Sequence, residues 1–187
     1  IVDDDDNEVA SGVPGELVVR GKEPWVLMAG YWRHPELTAK AWRNLWLHSG
    51  DIMKRDEAGR LTFVDRAKDA IRRRGENISS VEVETEINAH PDVLECAVVP
   101  IESEHSEQEV MAVVVPRPGH TLDPGALIEF LAPRMADFMV PRYVDVVDAL
   151  PKTPTGKIQK YALRERGLTA GTWDRDTERP RKRKEAR

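Results

Sequence analysis

The sequence predicts an α+β fold, and two observations support that prediction. After residue 70, helical patterns alternate with short apolar strands, as in a small domain whose helices pack on a sheet. Before residue 66, strand patterns occur without a helix layer, which indicates an incomplete β-rich unit. The chain of 187 residues is long enough for one ordinary domain or two small ones.

Four strand-like segments make up most of the first part of the chain. They are rich in β-branched or apolar residues, and an Asp and Gly turn between the last two predicts a hairpin. The predicted strands span residues 16–21, 46–51, 52–55 and 60–64. Residues 37–42 are expected to form a short helix with aromatic anchoring on one face.

Residues 64–78 form a charged connector with a few apolar positions between the charges. We predict a short strand followed by a tight turn at Gly75, because glycine tolerates positive φ and its neighbours do so less easily. Taken alone, such a charge run is more typical of a solvated surface than of a binding site.

The second part of the chain carries clearer helix and strand signals. Ser79 or Ser80 can cap a helix that continues to residue 89, with acidic side chains in its first turns. Pro124 opens a second helix that continues to residue 132. Strands are predicted at 93–100, 109–116 and 143–147, and shorter helical pieces at 134–139 and 162–166.

Composition argues against several classes of protein. A net charge of -5 does not suit a general nucleic-acid binder. No apolar run approaches the roughly 20 residues of a membrane span, and the acidic first residues do not match a signal peptide. Cys96 has no partner for an internal disulfide, which is typical of the cytoplasm. The five histidines are scattered, so no metal site is expected.

Three residues are candidates for chemistry. Asp51 follows Ser-Gly at a strand end, and its carboxylate can accept two hydrogen bonds from a vicinal diol such as ribose. Arg66 lies one hairpin later and could bind the same sugar. Lys157 follows a proline-stiffened turn, where an ammonium could lie between a carboxylate and a phosphate. A turn residue or a surface ion pair is the alternative for each.

The Thr-Gly-Lys sequence at residues 155–157 is similar to the end of a phosphate-binding loop. It lacks the first glycine of that loop, and no strand leads directly into it. We therefore reject a Walker site at this position.

Four motifs occur in the order and spacing of the adenylate-forming enzymes. They are Gly15-Glu16-Leu17 with Gly30-Tyr31-Trp32, residues 46–51, residues 65–69 with Gly75-Glu76-Asn77-Ile78, and residues 151–157. Over about residues 1–165, the chain resembles the C-terminal part of an acyl-CoA synthetase of the AMP-dependent ligase family. The Gly75-Glu76-Asn77-Ile78 sequence is similar to that of acyl- and aryl-CoA ligases, including the crotonobetaine/carnitine-CoA ligase type.

The resemblance implies a domain plan. Residues 1–65 would end a large, nucleotide-binding N-terminal domain as part of its β-rich subdomain, and residues 66–69 would be a hinge. Residues 70–168 would form a small mobile lid with helices and a three-stranded sheet, and residues 169–187 a basic disordered tail. We expect a fragment of a longer protein, because the chain has no initiator Met and begins within an acidic turn.

The resemblance also implies a role for each site residue. Asp51 would bind the ribose hydroxyls of ATP and of the acyl-adenylate, and Arg66 would contact the same ribose or a nearby phosphate. Lys157 would be the catalytic residue that reaches the substrate carboxylate and the α-phosphate. Lys68 would be the hinge residue. The path of CoA would be lined by Gly75, Glu76 and Asn77.

The implied activity is a two-step ligation of the kind used in fatty acid metabolism. A carboxylic acid and ATP give acyl-AMP and pyrophosphate, with Mg2+ on the phosphates. The small domain then rotates, withdraws Lys157 and presents the Gly75 turn, and CoA displaces AMP. The expected ligands are ATP or AMP, CoA and Mg2+, and the expected partner is the missing N-terminal domain. Without the phosphate loop and the acyl pocket, the chain alone should be inactive.

Two other functions stay open. An adenylating enzyme could use a different acceptor, as luciferase-like or carrier-protein-loading relatives do. Alternatively, the chain could be a non-catalytic binding module that acts through its surface or through the basic residues 179–187. A steep salt dependence of nucleic-acid affinity would indicate a function of those basic residues.

Overall fold

The computed structural model describes residues 1–103 and 107–178 of the chain. The α+β class is confirmed. The strands are β1 (Gly15–Val19), β2 (Leu47–Arg55), β3 (Leu61–Arg66), β4 (Ile71–Arg73), β5 (Glu76–Ile78), β6 (Val93–Glu102), β7 (Gln108–Pro116), β8 (Tyr143–Val146) and β9 (Trp173–Asp174). The helices are α1 (Pro35–Ala41), α2 (Ser80–Asn88), α3 (Pro124–Leu131), α4 (Lys160–Arg166) and α5 (Arg175–Glu178).

The chain divides into two compact units, Ile1–Lys68 and a second unit that begins at Asp69. The boundary falls within residues 66–69, the predicted hinge. That these residues act as a hinge, and that the domain limits lie at 65, 69 and 168, stay predictions.

The first unit is built on the antiparallel sheet β1-β2-β3. Strand β2 is one continuous strand of nine residues, whereas the sequence suggested a break between residues 51 and 52. Gly50 has a φ of 72° inside this strand, a value that glycine adopts without strain. The Ser-Gly-Asp sequence, which predicted the end of a strand, therefore lies inside β2.

The second unit contains a four-stranded sheet in the order β6-β7-β8-β9, and β4 and β5 form a separate hairpin. Strands β6 and β7 are antiparallel, and β7 and β8 are parallel. Helix α3 lies in the long connection that a parallel pair requires. The predicted three-stranded sheet is thus correct for β6–β8 but lacks β9, which pairs with β8 through Trp173 and Val144.

The predicted disordered tail also requires correction. It begins at residue 169 in the sequence prediction, whereas the structure continues through β9 and α5 to residue 178. Trp173 packs against the core, and the Asp174 carboxylate accepts two hydrogen bonds from Arg142. These contacts form with residues distant in sequence, so local composition does not reveal them. Residues 179–187 lie outside the described residues.

Strands β6 and β7 of the four-stranded sheet are buried on both faces, and each face has its own core. Alternate residues of β6 and β7 point to opposite faces, as in any strand. One core combines them with α2, α3 and the β4–β5 hairpin, and includes Ile71, Ile78 and Leu131. The other core combines the intervening residues with α4 and the segment before it, and includes Leu163 and Ile158.

Helices α2 and α3 begin at side-chain caps. Ser79 Oγ accepts a hydrogen bond from Glu82 N, and Asp123 Oδ2 accepts one from Ala126 N. Such caps satisfy backbone donors that have no partner inside the helix. The two predicted helices are confirmed.

The helical piece predicted at 134–139 is wrong, because this segment consists of turns. Near the end of this segment, the guanidinium of the buried Arg73 donates hydrogen bonds to Phe138 O and Val140 O. Those two carbonyl groups lie at distances of 2.9 and 3.0 Å from the guanidinium. These two carbonyl groups therefore accept hydrogen bonds from a side chain that is distant in sequence.

In the described part of the chain, no helix has both the length and the apolar character needed to cross a membrane. Cys96 lies in β6 as a buried free thiol. Burial raises the pKa of this thiol to about 12, and the nearby Glu84 carboxylate acts in the same direction. The thiolate form is therefore strongly disfavoured in the folded chain.

We expect the folded chain to resist alkylation of Cys96 by iodoacetamide at pH 8. Only the thiolate reacts, and its population stays very low below the raised pKa. Mass spectrometry after timed labelling, with and without denaturing urea, measures the rate. Because Cys96 is the only cysteine, no other thiol obscures the result. Equal labelling rates in both conditions would contradict the burial of this thiol.

We expect Leu131→Ala to lower the free energy of unfolding of the second unit by about 3 kcal/mol, because it opens a cavity in the core. Hydrogen exchange of the β6 and β7 amides reports this opening. Leu94→Ala makes the same chemical change at a side chain that is 49% exposed. That control should change stability by less than about 0.5 kcal/mol.

Candidate functional site

Asp51 and Arg66 lie directly opposite each other on β2 and β3. Arg66 Nε is 2.8 Å from Asp51 Oδ1, and the two side chains are 53% and 27% exposed. An ion pair this accessible contributes only about 0–1 kcal/mol to stability. The predicted neighbours therefore come together as a solvent-accessible pair that offers a carboxylate and a guanidinium fork to a ligand.

The backbone beside Asp51 is fixed by a side chain that the sequence analysis did not single out. Glu16 Oε1 accepts a hydrogen bond of 3.0 Å from Gly50 N, and Glu16 Oε2 lies 2.8 Å from His48 Nδ1. Ser49 Oγ donates to Leu17 O and accepts from Asp51 N. Glu16 belongs to the Gly-Glu-Leu motif, which was the one signal in the sequence that could have identified it.

Lys68 lies in a turn between two anchored aspartates. On its N-terminal side, Asp65 is buried and Ala67 N donates to Gly50 O within the first unit. On its C-terminal side, Asp69 is buried and forms an ion pair with Arg164 within the second unit. The exposed Lys68 side chain is thus flanked by residues that are each held within their own unit.

Gly75 lies at the tip of the β4–β5 hairpin. Arg73 and Glu76 are the last paired residues, so Arg74 and Gly75 form a two-residue loop. Both have positive φ, 55° and 81°, as a type I′ turn requires. Gly75 N donates to Glu107 Oε2 at 3.1 Å. The hairpin brings the predicted CoA-path residues together, with Glu76 and Asn77 exposed on β5.

Lys157 ends a tight loop whose backbone is well defined by hydrogen bonds. Lys157 N donates to Thr153 Oγ1, and Thr153 N donates to Lys157 O at 2.8 Å. Gly156 has a φ of 82°, and a bridge between Lys152 and Ile158 closes the loop.

The Lys157 side chain differs from the two lysines near it. Lys152 Nζ pairs with Glu95, and Lys160 Nζ pairs with Glu84. Lys157 is exposed, and within the part of the chain that the structure describes no carboxylate pairs with it. The loop thus fixes the backbone of Lys157 and leaves its ammonium group available to an anionic ligand.

The Gly75 hairpin and the Lys157 loop lie on opposite faces of the four-stranded sheet. The hairpin packs through Ile71 and Ile78 into the core shared with α2 and α3. The Lys157 loop packs through Ile158 into the core on the other face, beside Leu163 of α4. The structure therefore does not bring the Gly75 hairpin and the Lys157 loop together.

The described residues offer no metal-binding cluster. In residues 1–103 and 107–178, no group of three His, Cys, Asp or Glu side chains could hold a metal ion. The candidate functional elements are a carboxylate–guanidinium pair within the first unit and, taken separately, a lysine loop and a glycine turn within the second.

Comparison with known proteins gives matches along most of the chain. The AMP-binding enzyme C-terminal domain matches residues 82–157. A long-chain-fatty-acid–CoA ligase of Escherichia coli O157:H7 is 42% identical over 165 residues, which are 88% of this chain and 29% of that protein. A crotonobetaine/carnitine–CoA ligase of Citrobacter koseri is 36% identical over 88% of this chain and 32% of its own length.

A solved structure shows the same similarity. ATP-bound MatB from Rhodopseudomonas palustris superposes with a TM-score of 0.80 at 34% identity, over 88% of this chain and 32% of MatB. The chain thus spans about a third of the length of the proteins that it matches. The resemblance noted from the motifs is confirmed: the chain carries an AMP-binding enzyme C-terminal domain and is similar, over most of its own length, to part of the adenylate-forming acyl-CoA synthetases.

Proposed function

We propose that this chain is the C-terminal part of an acyl-CoA ligase that activates a carboxylic acid with ATP and transfers the acyl group to CoA. The observation that supports this most directly is the placement of the Lys157 loop and the Gly75 hairpin on opposite faces of one sheet. Two successive reactions at one site can use these two faces in turn. The similar proteins are named as CoA ligases, which supports CoA as the acceptor of the acyl group.

In the first reaction, a carboxylate oxygen of the acid attacks the α-phosphorus of ATP and pyrophosphate leaves. We assign Lys157 to the negative charge on the acid and the α-phosphate in the transition state, since its ammonium has no competing carboxylate among the described residues. Asp51 would accept hydrogen bonds from the ribose hydroxyls, and Arg66 would bind the same ribose or a phosphate.

In the second reaction, the CoA sulfur attacks the acyl carbonyl carbon and AMP leaves. We assign Gly75, Glu76 and Asn77 to the path of the CoA arm. Apart from its two neighbours in the chain, no described residue has an atom within 4 Å of a Cβ added at Gly75, so the turn has open space beside it. The exposed turn can therefore approach a ligand closely through its backbone.

We assign the change between the two reactions to rotation at Lys68. The anchoring of Asp65 in one unit and of Asp69 in the other leaves few residues in which backbone angles can change. The proposed domain limits at 65 and 69 follow from this assignment, whereas the second unit continues past residue 168 through β9 and α5. The large domain that holds the phosphates and the acyl group would be supplied by the N-terminal part of the same enzyme.

Mg2+ would neutralise charge on the ATP phosphates. The described residues provide no cluster of ligands for it, and we assign the ion to the N-terminal part of the enzyme. The single, unpaired cysteine supports a cytoplasmic enzyme.

A chimera with the Escherichia coli ligase tests these assignments. This chain would replace the C-terminal portion that it matches in that ligase. Pyrophosphate exchange measures adenylation, and synthetic acyl-AMP with CoA measures thioester formation separately. Formation of a CoA thioester from a fatty acid by the chimera would support the proposed function. Acyl-AMP formation without any thioester would favour an enzyme with another acceptor, and no adenylation at all would favour a binding module.

We expect Lys157→Ala in this chimera to lower the adenylation rate about 100-fold or more, because it removes a charge that stabilises the transition state. Thioester formation from supplied acyl-AMP should change much less. Lys152→Ala is the matched control, since Lys152 lies in the same loop but is paired with Glu95. Equal losses for both variants would contradict the assignment. The 187-residue chain alone should form no acyl-AMP.

We expect Lys68→Pro to lower the rate of thioester formation about tenfold or more, with a smaller effect on adenylation. Proline fixes φ at the proposed pivot and so hinders the change between the two poses. Lys68→Ala removes the same side chain but keeps the freedom of the backbone, so it should retain both rates. The pivot assignment would be wrong if alanine and proline gave the same rates in both half-reactions.

A further inference from the structure

The β4–β5 hairpin is anchored by a buried arginine immediately before its turn. Arg73 is 1% exposed. Its Nη1 donates to Phe138 O and Val140 O, and its Nη2 lies 2.6 Å from Glu109 Oε2 on β7. Burial lowers the pKa of the guanidinium, and the Glu109 carboxylate opposes that shift. One planar group thus ties the hairpin to the sheet and to the segment before β8.

The charge interactions continue from Glu109 to the C-terminal segment. Arg142 Nη1 lies 3.7 Å from Glu109 Oε1. The same guanidinium donates from Nε and Nη2 to the two carboxylate oxygens of Asp174, both at 3.1 Å. This bidentate bond raises the pKa of Arg142. Burial alone would raise the pKa of Asp174, but hydrogen bonds from Arg142 and from Asp176 N outweigh burial and lower it.

A second, more exposed link joins the turn to the same C-terminal segment. Arg74 Nη1, at the turn, lies 3.8 Å from Asp137 Oδ2. Arg175 Nη1 lies 3.6 Å from Asp137 Oδ1. Arg175 N also donates to Arg142 O at 2.9 Å, so the two links meet at the C-terminal segment.

These links matter because the hairpin is short. Each strand has three residues, and an isolated two-stranded hairpin of this kind is only marginally stable in water. Ile71 and Ile78 bury its base, but the Arg74–Gly75 turn projects beyond them. Glu107 Oε2 accepts a hydrogen bond from Gly75 N at the turn itself. At the base of the turn, its direction depends on the Arg73 guanidinium and on the charges that hold it.

We propose that residues 173–176 are a positioning element for the thioester reaction, and that Asp174 is the positioning residue. Asp174 orients Arg142, Arg142 orients Glu109, and Glu109 holds Arg73 at the base of the Gly75 turn. This inference rests on the proposed function, because it gives the turn its role in CoA binding. The inference adds that residues 173–176, which lie outside the matched domain at residues 82–157, determine the position of the Gly75 turn.

Asp174→Asn tests the proposal, since it keeps the shape of the side chain but removes its charge. In the ligase chimera we expect KM for CoA to rise about five- to tenfold, a coupling of ordinary size between two sites. Pyrophosphate exchange should stay within about twofold. Asp174→Glu, which restores the charge, should recover part of the loss.

Asp145→Asn is the matched control. Asp145 is likewise a carboxylate paired with an arginine, Arg166, in the same unit, although it is more buried than Asp174. Among the described residues, no ion pair links Asp145 or Arg166 to the hairpin. Asp145→Asn should lower stability without changing the balance between the two half-reactions. An unchanged KM for CoA in Asp174→Asn, or an equal change in Asp145→Asn, would overturn the positioning role.

Hydrogen exchange gives a readout that does not depend on activity. In the 187-residue chain, Asp174→Asn should speed exchange at the amides of residues 73–76 and leave those of β6 unchanged. Uniformly faster exchange across the second unit would mean a general structural role and would overturn the proposal. Failure of the proposed function itself is recognised separately, because Lys157→Ala and Lys68→Pro would then show no selective effect on either half-reaction.

Discussion

Strands β6 and β7 are buried on both sides, and the rest of the second unit depends on this constraint. A strand with one solvated face can support a single core, whereas these strands support two. The hairpin and helices α2 and α3 share one core, and α4 with the segment before it shares the other. The sheet, covered on both faces, therefore lies between the exposed Gly75 turn and the exposed Lys157 loop. This separation gives each loop its own exposed face on one small domain.

Each site element combines a fixed backbone with an accessible functional group. Glu16 accepts a hydrogen bond from Gly50 N and so fixes the backbone just before Asp51. Thr153 fixes the Lys157 backbone by bonding to both its N–H and its carbonyl group. The Arg73 guanidinium performs the same task for the Gly75 turn. Because functional geometry has to be held closely, the supporting hydrogen bonds and ion pairs come from rigid neighbours. The reactive groups themselves remain exposed to a ligand.

Local signals in the sequence predicted much of the fold. A capping serine located the start of α2, Pro124 located the start of α3, and apolar runs located β6, β7 and β8. The motifs led to the family and to the Asp51–Arg66 pair, since one hairpin separates those residues. Features set by long-range contacts were not predictable. Three successive arginines gave no sign that Arg73 is buried while its neighbours are exposed, and β9 is too short and too polar to be distinguished from a tail.

The double burial of β7 has a genetic consequence. Successive side chains of this strand alternate between the two cores, so inserting a single codon within it would send every following residue to the opposite side. An insertion of two codons would preserve the alternation and disturb only the length. Length variation by one residue should therefore be confined to the connections between strands, where it does not exchange the two sides of the domain.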